Sequence, residues 1–452
     1  MASTYLTRAF SSNTSSTKAT WSFWVKFSNR INCMLFQARN ANNSNAYRTY
    51  IRYGDSGTLD FIVYNGSGTV VGEYYTTRVL RDCNSWYHIC YSIDTTLNTA
   101  SDRLKLYING VRETEFDSSN STILAQNEAV KTTSSVFTDI SRNGGVNNNF
   151  LDGLLSYYIL TEGYVYQADT FGSTDTTTGE WKINPSPTIS NWGTNGFFIL
   201  KDGNSVTDQS GNSNNFTVGG GTLTKTEDCP SSVFATMNSL DNFYPAMTLS
   251  NGNTRALTIA GKYTYIPTTL GMTSGKYYAE IKCTAQSGSQ NEFMVGITST
   301  STGATTYELG HYANDYGYNG VAGNYRTNDG NNSYGSSFTT GDIIGIAVDL
   351  DNNKLYFSKN GTFQNSGNPT SGSTGTGAIS ITDPTLTLTG AYFFALCYYS
   401  SSIVGTFDAN FGNGYFGTTA VSSAGTNASG NGIFEYDVPT GYTALSTKGL
   451  NL

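Results

Sequence analysis

The stretch that most constrains the fold is GDIIGIAVDLDNNKLYFSKNGTF, residues 341–363. Ile344, Ile346, Val348 and Leu350 alternate with Gly345, Ala347 and Asp349, the period of a strand with one buried face. Asp351-Asn352-Asn353-Lys354 is a polar turn. Leu355 and Phe357 return to the same buried face, with Tyr356 and Ser358 expected outside. Asn360-Gly361 is a further turn signal, because both residues tolerate positive φ.

The rest of the chain agrees with this hairpin. A length of 452 residues predicts two or more domains. The 32 Tyr, 24 Phe and 49 Gly, set against 13% charged residues, favour sheets joined by turns. No long window keeps a helical apolar period, so the chain reads as all-β. Strands are expected at 20–27, 33–37, 47–53, 59–64, 85–93 and 103–109, with an Asn109-Gly110 turn and a strand pair within 149–160. Residues 219–228 are rich in Gly and Thr and mark the expected boundary between domains 1–230 and 231–452. Residues 231–255 are less regular and could pack on either domain.

Lys and Arg number 25 against 33 Asp and Glu, a net charge of −8, and no basic run occurs in the sequence. This disfavours nucleic acid and anionic membranes as partners. The longest apolar run, 391–399, is too short to cross a bilayer. The first residues lack an apolar signal core, so secretion by the usual route is not expected. The six cysteines form no C-x-x-C pair and are expected to be buried free thiols. A local Cys83–Cys90 bridge stays open.

Two resemblances sharpen the reading. The lead-in SGKYYAEIKCT (274–284), the strand FMVGIT (293–298), the hairpin and the closing Pro439-Thr440-Gly441-Tyr442 with Leu445 resemble a SPRY domain over residues 261–445. Upstream, WYH, DRLKLYING and FLDGLL resemble a concanavalin-like, laminin-G-like sandwich. The start TYLTRAFSS…TWSFWVKFS, with YVYQADTFGSTDTTTGEWKINPSP, WGTNGFFILKD, DQSGNSNNFTV and FATMNSLDN, is similar to tail- and virion-associated proteins of bacteriophages. In that branch a laminin-G-like domain precedes a SPRY domain. The resemblance implies two antiparallel, jelly-roll-like β-sandwiches in tandem.

Catalysis has few candidates. His88 lies in a strand among aromatics and reads as a packed imidazole; His311 lies in ELGHYANDYG with no partner nearby in sequence. Glycoside hydrolysis on such a sandwich would need spaced carboxylates, and Glu115-Phe116-Asp117 lacks the third. Asp349-Leu350-Asp351-Asn352-Asn353 lacks the Gly and Glu of a calcium loop. Asp202, Asp208 and Asn212 to Asn215 could supply oxygen ligands, and the laminin-G resemblance leaves calcium open, although Asp/Asn clusters more often make turns. No cofactor, metal or catalytic residue is therefore assigned, and no enzymatic activity is expected.

The candidate binding residues lie in NDYGYNGVAGNYRTNDGNNSY, residues 314–334. Tyr316, Tyr318, Tyr325, Arg326 and Tyr334 stand among Gly, Asn and Ser, the mixture that antibody loops use for recognition. The resemblance implies a virion protein assembled in the bacterial host cytoplasm. As a tail or fibre adhesin it would bind a host surface glycan or protein, contact other virion proteins and itself as a homo-oligomer, a trimer by family analogy, and insert in no membrane. An architectural capsid decoration or tail adaptor protein is the alternative, and a capsular depolymerase a third.

Overall fold

The computed structural model describes residues 3–40, 45–201, 205–242, 246–260, 265–289, 292–300, 307–398 and 403–451. The chain divides into two compact units, Met1–Lys225 and Thr226–Leu452, with the break inside the 219–228 stretch. Both units are antiparallel β-sandwiches, and helical segments among the described residues are short 3-10 turns. None of these is long and apolar enough to cross a membrane.

In the first unit a seven-stranded sheet runs in the order Thr217–Gly220, Tyr5–Arg8, Phe137–Ile140, Cys33–Arg39, Arg48–Tyr53, Leu59–Tyr64, Val70–Tyr75. A six-stranded sheet faces it, in the order Val111–Glu113, Leu104–Ile108, Tyr87–Asp94, Lys18–Phe27, Gly153–Glu162, Phe197–Ile199. Alternate residues of each sheet meet in one core that includes Trp21, Phe23, Phe27, Leu35, Ile51 and Phe61. Phe27 stacks on Tyr53 across the gap, with ring centroids 4.1 Å apart. Asn109 and Gly110 take φ of 49° and 75°, the tight hairpin turn expected of them.

The expected strand pair within 149–160 is instead one strand, Gly153–Glu162. Gly153 does not turn the chain: it pairs with Phe27, and a Cβ there would lie 2.3 Å from the Lys26 carbonyl oxygen. The glycine allows close strand approach. The irregularity falls later, between Ser156 and Ile159, where Tyr157 has φ of 49°.

In the second unit one sheet runs Thr248–Ser250, Arg255–Leu257, Gly405–Asn410, Lys276–Gln286, Ile343–Asp349, Lys354–Lys359, Thr362–Phe363. The short strands Ile379–Ser380 and Thr443–Ala444 pair with Lys354–Lys359 and Lys276–Gln286. The opposing sheet runs Tyr265–Pro267, Phe393–Tyr398, Phe293–Thr298, Tyr316–Asn319, Asn324–Thr327, Gly330–Ser333. Phe234, Ala235, Met237 and Met247 pack into this unit, which places the irregular 231–255 segment here.

The hairpin is Ile343–Asp349 paired with Lys354–Lys359. Ile344, Ile346, Val348, Leu350, Leu355 and Phe357 all join the core between the sheets. Tyr356 and Ser358 are not outside: both are buried. The hairpin's far face carries a second apolar layer in which Tyr356, Tyr278 and Ala347 pack against Phe434, Val438 and Tyr442. The alternation is real, but the C-terminal segment covers its other side.

One carboxylate ties down that cover. Glu280 is fully buried and accepts from the backbone N–H groups of Glu435 and Tyr436, each at 2.8 Å. Burial pushes its carboxyl up to about 7, against the pull of those two N–H groups. The folded state thus binds this proton more tightly than the unfolded chain does. The resulting stabilisation is fully present below about pH 4.5 and is lost as pH rises through about 7. The shift corresponds to about 3 kcal/mol. Urea midpoints between pH 4.5 and 8 should fall more steeply for the wild type than for Glu280→Gln. Equal slopes would place the proton elsewhere. Tyr356→Ala should cost about 3 to 5 kcal/mol in the same assay, as for other buried aromatics.

Candidate functional site

The residues picked from 314–334 do not form an exposed loop. They form three strands, Tyr316–Asn319, Asn324–Thr327 and Gly330–Ser333, joined by tight turns. Tyr316, Tyr318 and Tyr334 point between the sheets and are buried, and the half-buried Tyr325 packs against the same core. Their hydroxyls are used internally. Tyr316 accepts from the Thr382 N–H at 3.1 Å, Tyr318 donates to the Ser336 carbonyl at 2.5 Å, and Tyr334 accepts from the Phe357 N–H at 3.1 Å. Period-2 spacing places three of these tyrosines inward, so they support the surface and are not contact anchors. Arg326 alone reaches the outer face, where its Nη2 lies 2.6 Å from Glu308 and 2.8 Å from Asp329.

Those two carboxylates define the surface that sequence reading missed. Residues 307–315 cross the outer face of the six-stranded sheet, with Leu309 buried against Met294 and Cys397. The Asn328 and Asp329 N–H groups donate to the Tyr312 and Gly310 carbonyls at 3.2 and 3.1 Å. Gly310 is required: φ is 91°, and a Cβ would lie 2.6 Å from the Arg326 carbonyl oxygen. His311 therefore has a partner after all, Asp329, at 2.9 Å from Nδ1. The His311 and Arg326 bonds hold the Asp329 carboxyl below its usual range. Tyr307 stacks on His311 at 3.6 Å between centroids, and Tyr312 meets the imidazole edge-on at 4.8 Å. The result is an aromatic corner held by an ion-pair network.

The 382–390 loop projects from the same domain. Leu386 and Leu388 are 76% and 82% exposed. The loop itself is braced: Thr389 Oγ1 donates to the Ser299 carbonyl at 2.9 Å, and Tyr316 and Tyr392 both bond Thr382. Asp315, which ends the aromatic segment, accepts from Thr298 Oγ1 at 2.7 Å, and burial raises its carboxyl to about 6. The leucine loop and the aromatic corner thus flank the same residues, Thr298 to Thr300. Leu386 and Leu388 alternate with threonines and give no signal of exposure in the sequence.

The catalytic and metal candidates are occupied elsewhere. His88 is fully buried, accepts from Trp181 Nε1 at 3.1 Å and donates from Nε2 to Ser22 at 2.9 Å. Burial drives it down to about 3, a neutral ring packed as expected. Asp117 caps a 3-10 turn through the Ser119 N–H at 2.9 Å. Asp349 bonds the Asn352 N–H at 3.0 Å and pairs with Lys276, also at 3.0 Å, as a turn brace. Asp208 accepts from the N–H groups of Phe198 and Asn214, each at 2.8 Å, and from that of Ser210 at 2.9 Å. Asp202 lies outside the described residues. No group of three His, Cys, Asp or Glu could hold a metal among the described residues. Cys83 and Cys90 are not bridged to each other, and all six cysteines but Cys229 are buried.

Exposed leucines contribute little to stability, whereas the buried Tyr316 hydroxyl satisfies a backbone donor. Leu386→Ser with Leu388→Ser should leave stability within about 0.5 kcal/mol of wild type. Tyr316→Phe should cost about 1 kcal/mol in chemical denaturation. The reverse ranking would mean that the leucines are packed.

Residues 2–158 match the model of the concanavalin A-like lectin/glucanases superfamily, in its laminin-G-like form, and residues 276–378 match the SPRY domain. A Ran-binding proteins 9/10 homolog of Drosophila melanogaster is 36% identical over 89 residues, 19% of this chain and 9% of that protein. Human Ran-binding protein 9 shares the same identity over the same length, 12% of its own. The dual specificity protein kinase splA of Dictyostelium discoideum is 36% identical over 77 residues, 17% of this chain and 3% of the kinase. Among solved structures, the SPRY domain of human HERC1 is similar with a TM-score of 0.30 and 17% identity, over 38% of this chain and 96% of that one. A heptameric SAP-like pentraxin of Limulus polyphemus gives 0.26 and 14%, over 36% and 71%. The chain carries a laminin-G-like, concanavalin A-like domain followed by a SPRY domain.

Proposed function

We propose that this chain is a non-catalytic recognition protein of a bacteriophage particle, a tail or fibre adhesin that engages a host surface through the rim of its SPRY domain. The observation that carries the reading is the pair Leu386 and Leu388, exposed on a loop braced through Thr389 to Ser299, whose neighbour Thr298 holds Asp315 at the end of the 307–315 segment. Apolar anchors ringed by polar and aromatic groups are the usual anatomy of a hot spot. The particle assignment rests on the sequence resemblance to tail- and virion-associated proteins of bacteriophages, which covers nearly the whole chain. The absence of catalysis is supported by the internal bonding of His88, Asp117 and Asp208. Many copies on one particle would make individually weak sites strong together.

A protein, not a glycan, is the favoured ligand at this rim. The Ran-binding relatives are named for binding a protein, and what transfers is only the class of partner. A decoration or adaptor role on the particle is the competing reading. Particles carrying Leu386→Ser with Leu388→Ser should assemble in normal yield and adsorb to host cells at least about tenfold less well, the effect of losing about 1.4 kcal/mol or more per site. Normal adsorption would remove the rim from host recognition. Loss of assembled particles would favour the architectural reading.

A further inference from the structure

The first domain carries a second surface of different chemistry. On the strand Cys33–Arg39, Leu35, Phe36 and Ala38 face the core, which puts Gln37 and Arg39 on the outer side of the seven-stranded sheet. On Arg48–Tyr53, Ile51 and Tyr53 face the core, which puts Arg48, Tyr50 and Arg52 on that same outer side. Cations lie over the rings between them. Arg39 and Arg142 lie 4.9 and 5.9 Å from the Phe137 ring; Arg48 and Arg52 lie 4.4 and 5.9 Å from the Tyr50 ring. Four arginines that no sequence run brings together therefore share one sheet face.

Two of them have their own carboxylates. Arg52 pairs with Asp60 at 2.6 Å and Arg142 with Asp139 at 2.7 Å. Glu73, on the same face, accepts from the Tyr75 hydroxyl at 2.5 Å. Arg39 and Arg48 are the other two, and they are direct cross-strand partners. Like charges opposite one another on adjacent strands repel. Arg39 is only 3% exposed, yet its Nε and Nη2 have no hydrogen-bond partner among the described residues, nor has Nε of Arg48. Gly145 roofs Arg39 so closely that a Cβ there would sit 2.1 Å from Nη2. Arg48 donates from Nη1 to Asn45 at 3.0 Å. Burial and the facing Arg48 push the Arg39 guanidinium below its usual range, with Asp139 opposing. A desolvated cation with idle donors destabilises a fold unless an anion completes it.

We propose that Arg39 and Arg48 form a binding site for an oxyanion, the carboxylate of an acidic sugar or a phosphate group, gripped by two guanidinium forks on neighbouring strands. Such forks match the paired oxygens of these groups. This site lies in the laminin-G-like domain and does not depend on the SPRY rim.

The test uses the full chain, titrated with sodium glucuronate, sodium phosphate, glucose or sodium chloride at matched ionic strength, followed by melting temperature and calorimetry. A saturable rise with glucuronate or phosphate, and none with glucose or chloride, is expected; which of the two acts distinguishes a sugar carboxylate from a phosphate. Arg39→Met and Arg48→Gln should each weaken that binding at least about tenfold, the loss of a charged hydrogen bond. Arg112→Gln, the same charge change on the other sheet, should leave it unchanged. In chloride alone, Arg39→Met should melt no lower than the wild type, because an unpaired buried charge has been removed. No saturable rise with either anion, or equal binding by both site variants, would overturn the proposal. So would a markedly lower melting temperature of Arg39→Met in chloride, since the guanidinium would then serve the fold.

Discussion

The second domain depends on one buried contact, the Glu280 carboxylate against the backbone N–H groups of Glu435 and Tyr436. Glu280 lies on the strand Lys276–Gln286, whose neighbours are Ile343–Asp349 on one side and Gly405–Asn410 on the other. A sheet there with one wet face would need no cover. This sheet instead buries Tyr278, Ala347 and Tyr356 on the side away from the core. The chain that covers them has little regular hydrogen bonding of its own, and a fixed acceptor replaces the missing ladder. Asn410 extends the contact, donating to the Ile433 carbonyl at 3.0 Å and accepting from the Gly412 N–H at 2.9 Å.

The same logic separates what could be read in the sequence from what could not. Period 2 located the hairpin because Ile344, Ile346, Val348, Leu355 and Phe357 differ sharply from their neighbours. The Asn-Gly pairs located two turns because few other residues accept φ near 50° followed by φ near 80°. Tyr356 was misplaced because tyrosine suits both a wet face and a covered one, and only the distant residues Phe434 to Tyr442 decide between them. The pair of strands expected in 149–160 failed for a related reason: a glycine can mark a turn or admit a neighbouring backbone, and at Gly153 it does the second.

The candidate recognition residues were harder still. Tyr316, Tyr318 and Tyr334 carry the composition of a paratope but the spacing of a strand, and burial followed the spacing. The surface they support is made of Tyr307, His311 and Tyr312, whose short turn is set by Gly310, and of leucines some 70 residues further on. The acidic residues nearest His311 in sequence, Glu308 and Asp315, bond elsewhere, and its partner Asp329 arrives through a hairpin. Sequence proximity carries little information about such groups, since loops from different strands converge only once both sheets are built.

The arginine face shows the limit most clearly. With a net charge of −8 and no basic run, composition argues against nucleic acid and anionic membranes. That argument concerns the long-range field, which decays over about 8 Å at physiological salt. Within that distance the local charges decide, and Arg39 faces Arg48 across a strand pair. An anion approaching the whole molecule would gain no steering and would associate at an ordinary rate. Its affinity would come from short-range forks and desolvation, and so from a slow departure. If the proposed site binds, an acidic protein with a cationic patch on the outer side of one sheet would suit a ligand presented at high local density, such as a polymer with a repeated acidic group, for which rebinding replaces attraction from afar.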